Sequence, residues 1–252
     1  MNYDKLLNLG ADLGRRLMSS GAEIHRVEES VSRLLTAYGL EPQVFAIPAT
    51  LIVSVTTPDG HPITRMCRVP VRGTDIELLE RCNALCRRLC REVPDVDEAQ
   101  RLVDELGTGG QMFPRSVVLM GYVAAAAFFA LFFGGGALDA LCAALCGLAT
   151  GGCLLFGQRL TGSNVFLRTV ICSAILSALA WLLGSYVPGV HTDTVTIGAL
   201  MLLVPGMALT NAMREIMAGD IFSGLHRTAE VILVATAIAL GTALPVVLER
   251  LL

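Results

Sequence analysis

Apolar positions follow three successive regimes along the chain. From Asp4 to Ser19, Leu6, Leu9, Leu13 and Leu17 recur at helical steps and mark one buried helix face. Ser19-Ser20-Gly21 breaks that pattern. A second helix is predicted from about Ala22 to Tyr38, with Ile24, Val27, Val31, Leu34 and Leu35 on one side and Gly39 as its C-cap. The composition then changes. Val44–Ile47, Leu51–Thr56 and Ile63–Val69 are rich in strand formers, and Pro58-Asp59-Gly60 between the last two reads as a hairpin turn. Asp75 can cap a helix running to about Arg91, and Asp95 or Asp97 can start a short one ending at Leu106. The order α-α-β-β-β-α-α describes a small α+β domain over residues 1–107, large enough to bury a modest core.

Beyond Thr108-Gly109-Gly110 the periodicity gives way to continuous apolar runs. Five stretches, residues 116–138, 140–158, 169–190, 194–213 and 231–248, each hold at least 18 residues without Asp, Glu, Lys or Arg. Each is long enough to cross a bilayer. One such run is compatible with a buried core helix; five in succession argue for membrane spans. The expected fold is a mostly α membrane protein: a cytosolic α+β domain followed by a five-helix transmembrane bundle over residues 108–252.

Charge sharpens the division. Residues 1–107 carry 13 Lys/Arg and 16 Asp/Glu, whereas residues 108–252 carry 6 of each. The net charge of −3 and the absence of a dense basic stripe give no reason to expect nucleic acid as a partner. Arg115 precedes the first stretch, Arg159 and Arg168 separate the second and third, and Arg214 and Arg227 separate the fourth and fifth. The other two loops hold Asp139 alone, and His191 with Asp193. The positive-inside rule then places the N-terminal domain in the cytoplasm and the C-terminus outside. Arg250, beside Glu249, is the one discordant cation. The amphipathic, charged opening from Met1 to Arg16 does not read as a signal peptide.

The segment Leu203-Val204-Pro205-Gly206 interrupts the fourth stretch. Proline removes a backbone donor and glycine weakens the helix further. A break at membrane depth either serves packing as a simple kink or exposes backbone groups to a wet cavity, as in transporters. Asn211, Arg214, Glu215 and Asp220 follow within a few turns. Arg214 can grip a carboxylate by two hydrogen bonds, or anchor the inner interface by pairing with Glu215 or Asp220. Asn164, after Gly162-Ser163, and Thr192-Asp193-Thr194 read as helix caps. Ala143, Gly147 and Gly151 line one face of the second stretch and suit close helix packing, within the chain or against a partner. Cys82, Cys86 and Cys90 fall along one helix face without a second ligand cluster, so they read as core residues and not as a zinc site. The eight cysteines show no secreted disulfide framework. No phosphate-binding loop, dinucleotide fingerprint or hydrolase elbow is present, so neither a cofactor nor an enzyme activity is expected.

Taken together, Gly21-Ala22-Glu23-x2-Arg26-Val27-Glu28, Pro48-Ala49-Thr50-Leu51-Ile52-Val53-Ser54, Leu203-Val204-Pro205-Gly206 with Thr210-Asn211-Ala212-x-Arg214, and Ala218-Gly219-Asp220-x2-Ser223-Gly224 resemble the threonine/serine exporter family of bacterial membrane proteins. The resemblance spans about residues 6–248. It implies a secondary exporter of small hydrophilic metabolites in the bacterial inner membrane. Fused members are associated with threonine and serine. A split form, in which a smaller membrane subunit supplies the second half, is associated with succinate. Ending after its fifth stretch, this chain resembles the larger subunit of the split form. The candidate substrate site is Pro205, Gly206, Thr210, Asn211 and Arg214, with Glu215 and Asp220 in coupling or gating; the expected driving force is an ion gradient, of protons. One departure is Arg214-Glu215 where the family pattern has Arg-Asp. Two other readings stay open: a membrane-anchored cytosolic enzyme, and a ligand-sensing membrane protein.

Overall fold

A computed structural model describes residues 2–69, 74–107, 113–157 and 164–251. Thr108-Gly109-Gly110, Arg159 and Gly162-Ser163, named above, lie outside the described residues, as do the side chains of Glu249 and Arg250. The chain forms two compact units. One comprises Met1–Gly110 with Thr210–Arg227, the other Gln111–Leu209 with Thr228–Leu252.

The first unit is built on α1 (Tyr3–Ser19) and α2 (Ile24–Ala37), followed by β1 (Pro42–Ile47), β2 (Thr50–Thr56) and β3 (Pro62–Arg68), then α3 (Ile76–Glu92) and α4 (Val96–Glu105). The predicted apolar faces are the buried ones: Leu6, Leu9, Leu13 and Leu17 on α1, and Ile24, Val27, Val31, Leu34 and Leu35 on α2. Asn2 caps α1 by accepting from the Lys5 amide at 3.1 Å, and Asp75 caps α3 by accepting from the Leu78 amide at 3.0 Å. The three strands pair antiparallel in sequence order, with Val44 opposite Val53 and Ser54 opposite Thr64. Leu51, Val53 and Val55 alternate inward from the central strand and join the helices in a single core. The β2–β3 hairpin turns at Gly60, whose φ of +79° is one that a Cβ would disfavour.

The second unit contains α5 (Arg115–Phe132), α6 (Ala137–Phe156), α7 (Val165–Tyr186) and α8 (Thr192–Leu200), with the part of α10 (Ile221–Leu251) from Thr228 onward. Between α8 and α10 lies α9 (Gly206–Met217). Asn164 caps α7 as expected, accepting from the Leu167 amide at 3.1 Å. Gly147 lets α6 lie directly on α5: a Cβ there would come within 2.6 Å of the Tyr122 carbonyl oxygen and 2.7 Å of Ala126 Cβ. The small-residue stripe is therefore used within the chain. Large apolar side chains on these helices, among them Phe128, Phe132, Leu141 and Leu182, face outward, as lipid-facing positions do.

Among the described residues, four helices are long and apolar enough to cross a membrane: α5, α6, α7 and α10 as far as Pro245. The fourth expected span, residues 194–213, is not one helix. It is divided into α8 and α9 by a non-helical segment from Met201 to Pro205. The cause is local. Pro205 has no amide to continue the ladder, and the helix restarts at Gly206. The last helix also begins ten residues earlier than its apolar run, because Asp220 caps it by accepting from the Ser223 amide at 3.2 Å.

Candidate functional site

Glu23 occupies the N-cap position of α2 yet makes no cap hydrogen bond with its side chain. Its carboxylate instead accepts from Nη1 of Arg214 on α9, 191 positions along the chain. Both residues belong to the first unit. The Glu23 side chain is 12% exposed and that of Arg214 59%, so the pair has a largely covered carboxylate and an open guanidinium. His25 Nε2 lies 3.5 Å from the other Glu23 oxygen.

The neighbouring residue on α9 has a different environment. Glu215 is fully buried. Arg227 Nε approaches its Oε1 at 3.0 Å, while Arg227 Nη2 donates to the Ala22 carbonyl at 3.2 Å. Among the described residues neither Glu215 oxygen receives a well-aligned hydrogen bond, so Arg227 and the Ile24 amide act on the carboxylate mainly through charge. Burial raises the Glu215 carboxyl above its ordinary pKa. The attraction of Arg227 and of the Ile24 amide opposes that shift without cancelling it. Ser223 Oγ, also buried, has no hydrogen-bond partner among the described residues. Gly224 permits the approach of α10 to α9, since a Cβ there would sit 2.4 Å from Ile216 Cγ1.

Two sequence motifs that stand far apart thus meet: the segment around Glu23 and the segment from Thr210 to Gly224. Arg214, Glu215 and Asp220 fall together, with Asp220 in a capping role. Asn211 is half-buried one helical turn before Arg214 and Glu215, and its amide makes no side-chain hydrogen bond among the described residues. Thr210 is exposed at the start of this segment. Pro205 and Gly206 belong to the other unit. Sequence reasoning missed two partners, Glu23 for Arg214 and Arg227 for Glu215, having considered pairs only among neighbours in the chain. It also missed Asp139 in the second unit. That carboxylate is 1% exposed and accepts from the amides of Gly136 at 2.8 Å and His191 at 2.7 Å, joining two loops.

The cysteine stripe on α3 lies in the core as expected. Burial pushes the Cys82 thiol up to about 11 and the Cys86 thiol up to about 12, making both poor nucleophiles. No cluster of side chains able to hold a metal ion occurs among the described residues.

A profile for the putative threonine/serine exporter matches residues 8–248. The chain belongs to the threonine/serine exporter family. A probable threonine/serine exporter of Mycobacterium tuberculosis is 27% identical over 94% of this chain. Pheromone-regulated membrane protein 10 of Saccharomyces cerevisiae is 25% identical over 91%. The chain spans 45% of the first of these relatives and 30% of the second. A probable succinate transporter subunit, YjjP, of Klebsiella aerogenes is 27% identical, with 92% of this chain aligned to 88% of the relative. No solved structure matches. The relatives and the four apolar helices make this family member a multi-pass membrane protein.

Proposed function

We propose that this chain is the larger membrane subunit of a secondary exporter of small carboxylate metabolites, either threonine/serine-type amino acids or succinate, acting with a smaller membrane partner. The N-terminal α+β domain lies in the cytoplasm and the C-terminus outside, in a bacterial inner membrane. The observation that carries the reading is the Glu23–Arg214 pair. An exposed arginine already holding a carboxylate offers a place where a substrate carboxylate exchanges with an internal one. Arg214, with Asn211 a turn away, receives the substrate; Glu23 is its competitor and returns when the substrate leaves.

Glu215 supplies the coupling. Protonated, it no longer holds Arg227, which is also tied to Ala22 next to Glu23. A proton arriving at Glu215 therefore loosens the contact that keeps Glu23 in place. Thr210, one helical turn before Arg214, is a further candidate for substrate binding in the same unit; Pro205 and Gly206 are separate candidates in the other unit. Asp220 fixes the start of α10 and so the position of Arg227. The alignment with nearly the whole length of a relative named as a transporter subunit supports the partner.

The test is transport in proteoliposomes containing this chain and its partner, under an imposed proton gradient, with labelled threonine, serine and succinate. Arg214→Ala is expected to lower flux roughly tenfold or more, the scale of one lost charge-assisted hydrogen bond. No accumulation of any of the three substrates under either gradient polarity would sink the proposal.

A further inference from the structure

A second polar feature of the first unit takes no part in the site above. Between α2 and α3 runs an open groove of about 840 Å³. Arg26, Arg33, Arg87 and Arg91 line it over a floor that includes Ser30 and Asn83. The spacing explains the convergence. Arg26, Ser30 and Arg33 share one face of α2, and Asn83, Arg87 and Arg91 share one face of α3. Arg33 of α2 and Arg87 of α3, from different helices, line the same groove together with Cys86.

The groove is out of character with its surroundings. The first 107 residues carry more acid than base, yet here four arginines face one carboxylate, Glu29, which Arg33 engages at 2.6 Å. Arg26, Arg87 and Arg91 make no ion pair among the described residues. Four like charges in one groove repel each other, and an anion relieves that repulsion. Arginine forks suit phosphate oxygens in particular. Among the described residues no aromatic ring lines the groove, so none of them would stack on a base. The charge and the hydroxyl and amide floor select a compact, highly charged anion over an apolar or aromatic ligand.

We propose that the α2–α3 groove is a binding site for a compact soluble polyanion carrying two phosphate groups, gripped by Arg26 and Arg33 on one side and by Arg87 and Arg91 on the other. The proposal concerns binding alone and stands apart from the transport reading, so either can fail without the other.

Inorganic pyrophosphate is the probe, added to the purified full-length chain in nanodiscs at fixed ionic strength and read by calorimetry and by thermal stability. The wild type is expected to bind saturably and to melt higher. The double variant Arg87→Ala/Arg91→Ala, altered only on the exposed face of α3, is expected to melt normally without ligand and to bind at least roughly tenfold more weakly. Arg101→Ala, outside the groove, is expected to bind as the wild type does. Absence of binding overturns the proposal, as does equal binding by the double variant, or an equal shift with chloride at matched ionic strength. Nanodiscs of neutral and of anionic lipid separate the two sources of phosphate. Equal pyrophosphate affinity in both supports a soluble ligand. Affinity lost in anionic lipid shows the groove filled by headgroups and overturns it.

Discussion

Replacing Glu23 by glutamine keeps the side chain's size and removes the charge that engages Arg214. If the two act as competitor and receptor, Glu23→Gln frees the arginine for substrate. The expected result is a lower half-saturating substrate concentration with a slower maximal rate, because release loses its returning carboxylate. Kinetics showing loss of affinity instead would assign Glu23 to substrate binding. Glu215 makes a separate demand. Its folded-state pKa is raised by burial, so the folded chain keeps this proton to higher pH than the unfolded chain does. In that window the folded state binds more protons, and stability falls as pH rises through it. The melting temperature of the wild type relative to Glu215→Gln should therefore drop as pH climbs from the ordinary carboxylate range and level off above the raised value. A difference that is flat or climbs with pH contradicts the assignment. Arg227→Ala leaves Glu215 buried without its cation. The expected cost is about 3–5 kcal/mol when Glu215 is ionised, shrinking at acidic pH where the carboxyl takes up a proton instead.

At the scale of elements, regular patterns were legible and long-range contacts were not. The helical spacing of leucines on α1 and the alternation on β2 each reflect burial of one face, a property of a local segment. The hairpin at Gly60 and the caps at Asp75 and Asn164 are local too. The fourth apolar run misled because apolarity reports what a segment tolerates as solvent and not whether its backbone stays helical. Pro205 lies inside that run, yet hydrophobicity alone predicts one span across it. The Glu23–Arg214 pair was invisible because nothing in a single sequence relates positions 191 apart. Closing the break with Pro205→Ala/Gly206→Ala should restore helical continuity between α8 and α9 and abolish flux while the protein still folds; normal flux would remove the break from the mechanism. The α5–α6 contact gives a packing test. Gly147→Val should lower stability by about 1–3 kcal/mol through overpacking, whereas Gly152→Ala, whose added Cβ meets no described atom within 4 Å beyond its own stretch of helix, should be tolerated. Thermal melts in detergent distinguish the two.

For the whole molecule, the α+β portion has a core and capping that need no lipid, while the apolar helices turn large side chains outward in a way that only a bilayer satisfies. The segment from Thr210 to Arg227 has the same importance at this scale as Arg214 has at the smallest. It lies between α8 and the lipid-facing part of α10 in the sequence, yet packs with the residues of the N-terminal domain. A change at Glu23 or Glu215 thus acts on chain that runs directly into apolar helices. The central claim is that Arg214 exchanges Glu23 for a substrate carboxylate. Its most direct test is substrate binding to the reconstituted complex in wild type, Glu23→Gln and Arg214→Ala, measured side by side. The expected order of affinity is Glu23→Gln above wild type, with Arg214→Ala weakest; equal affinity in all three contradicts the claim.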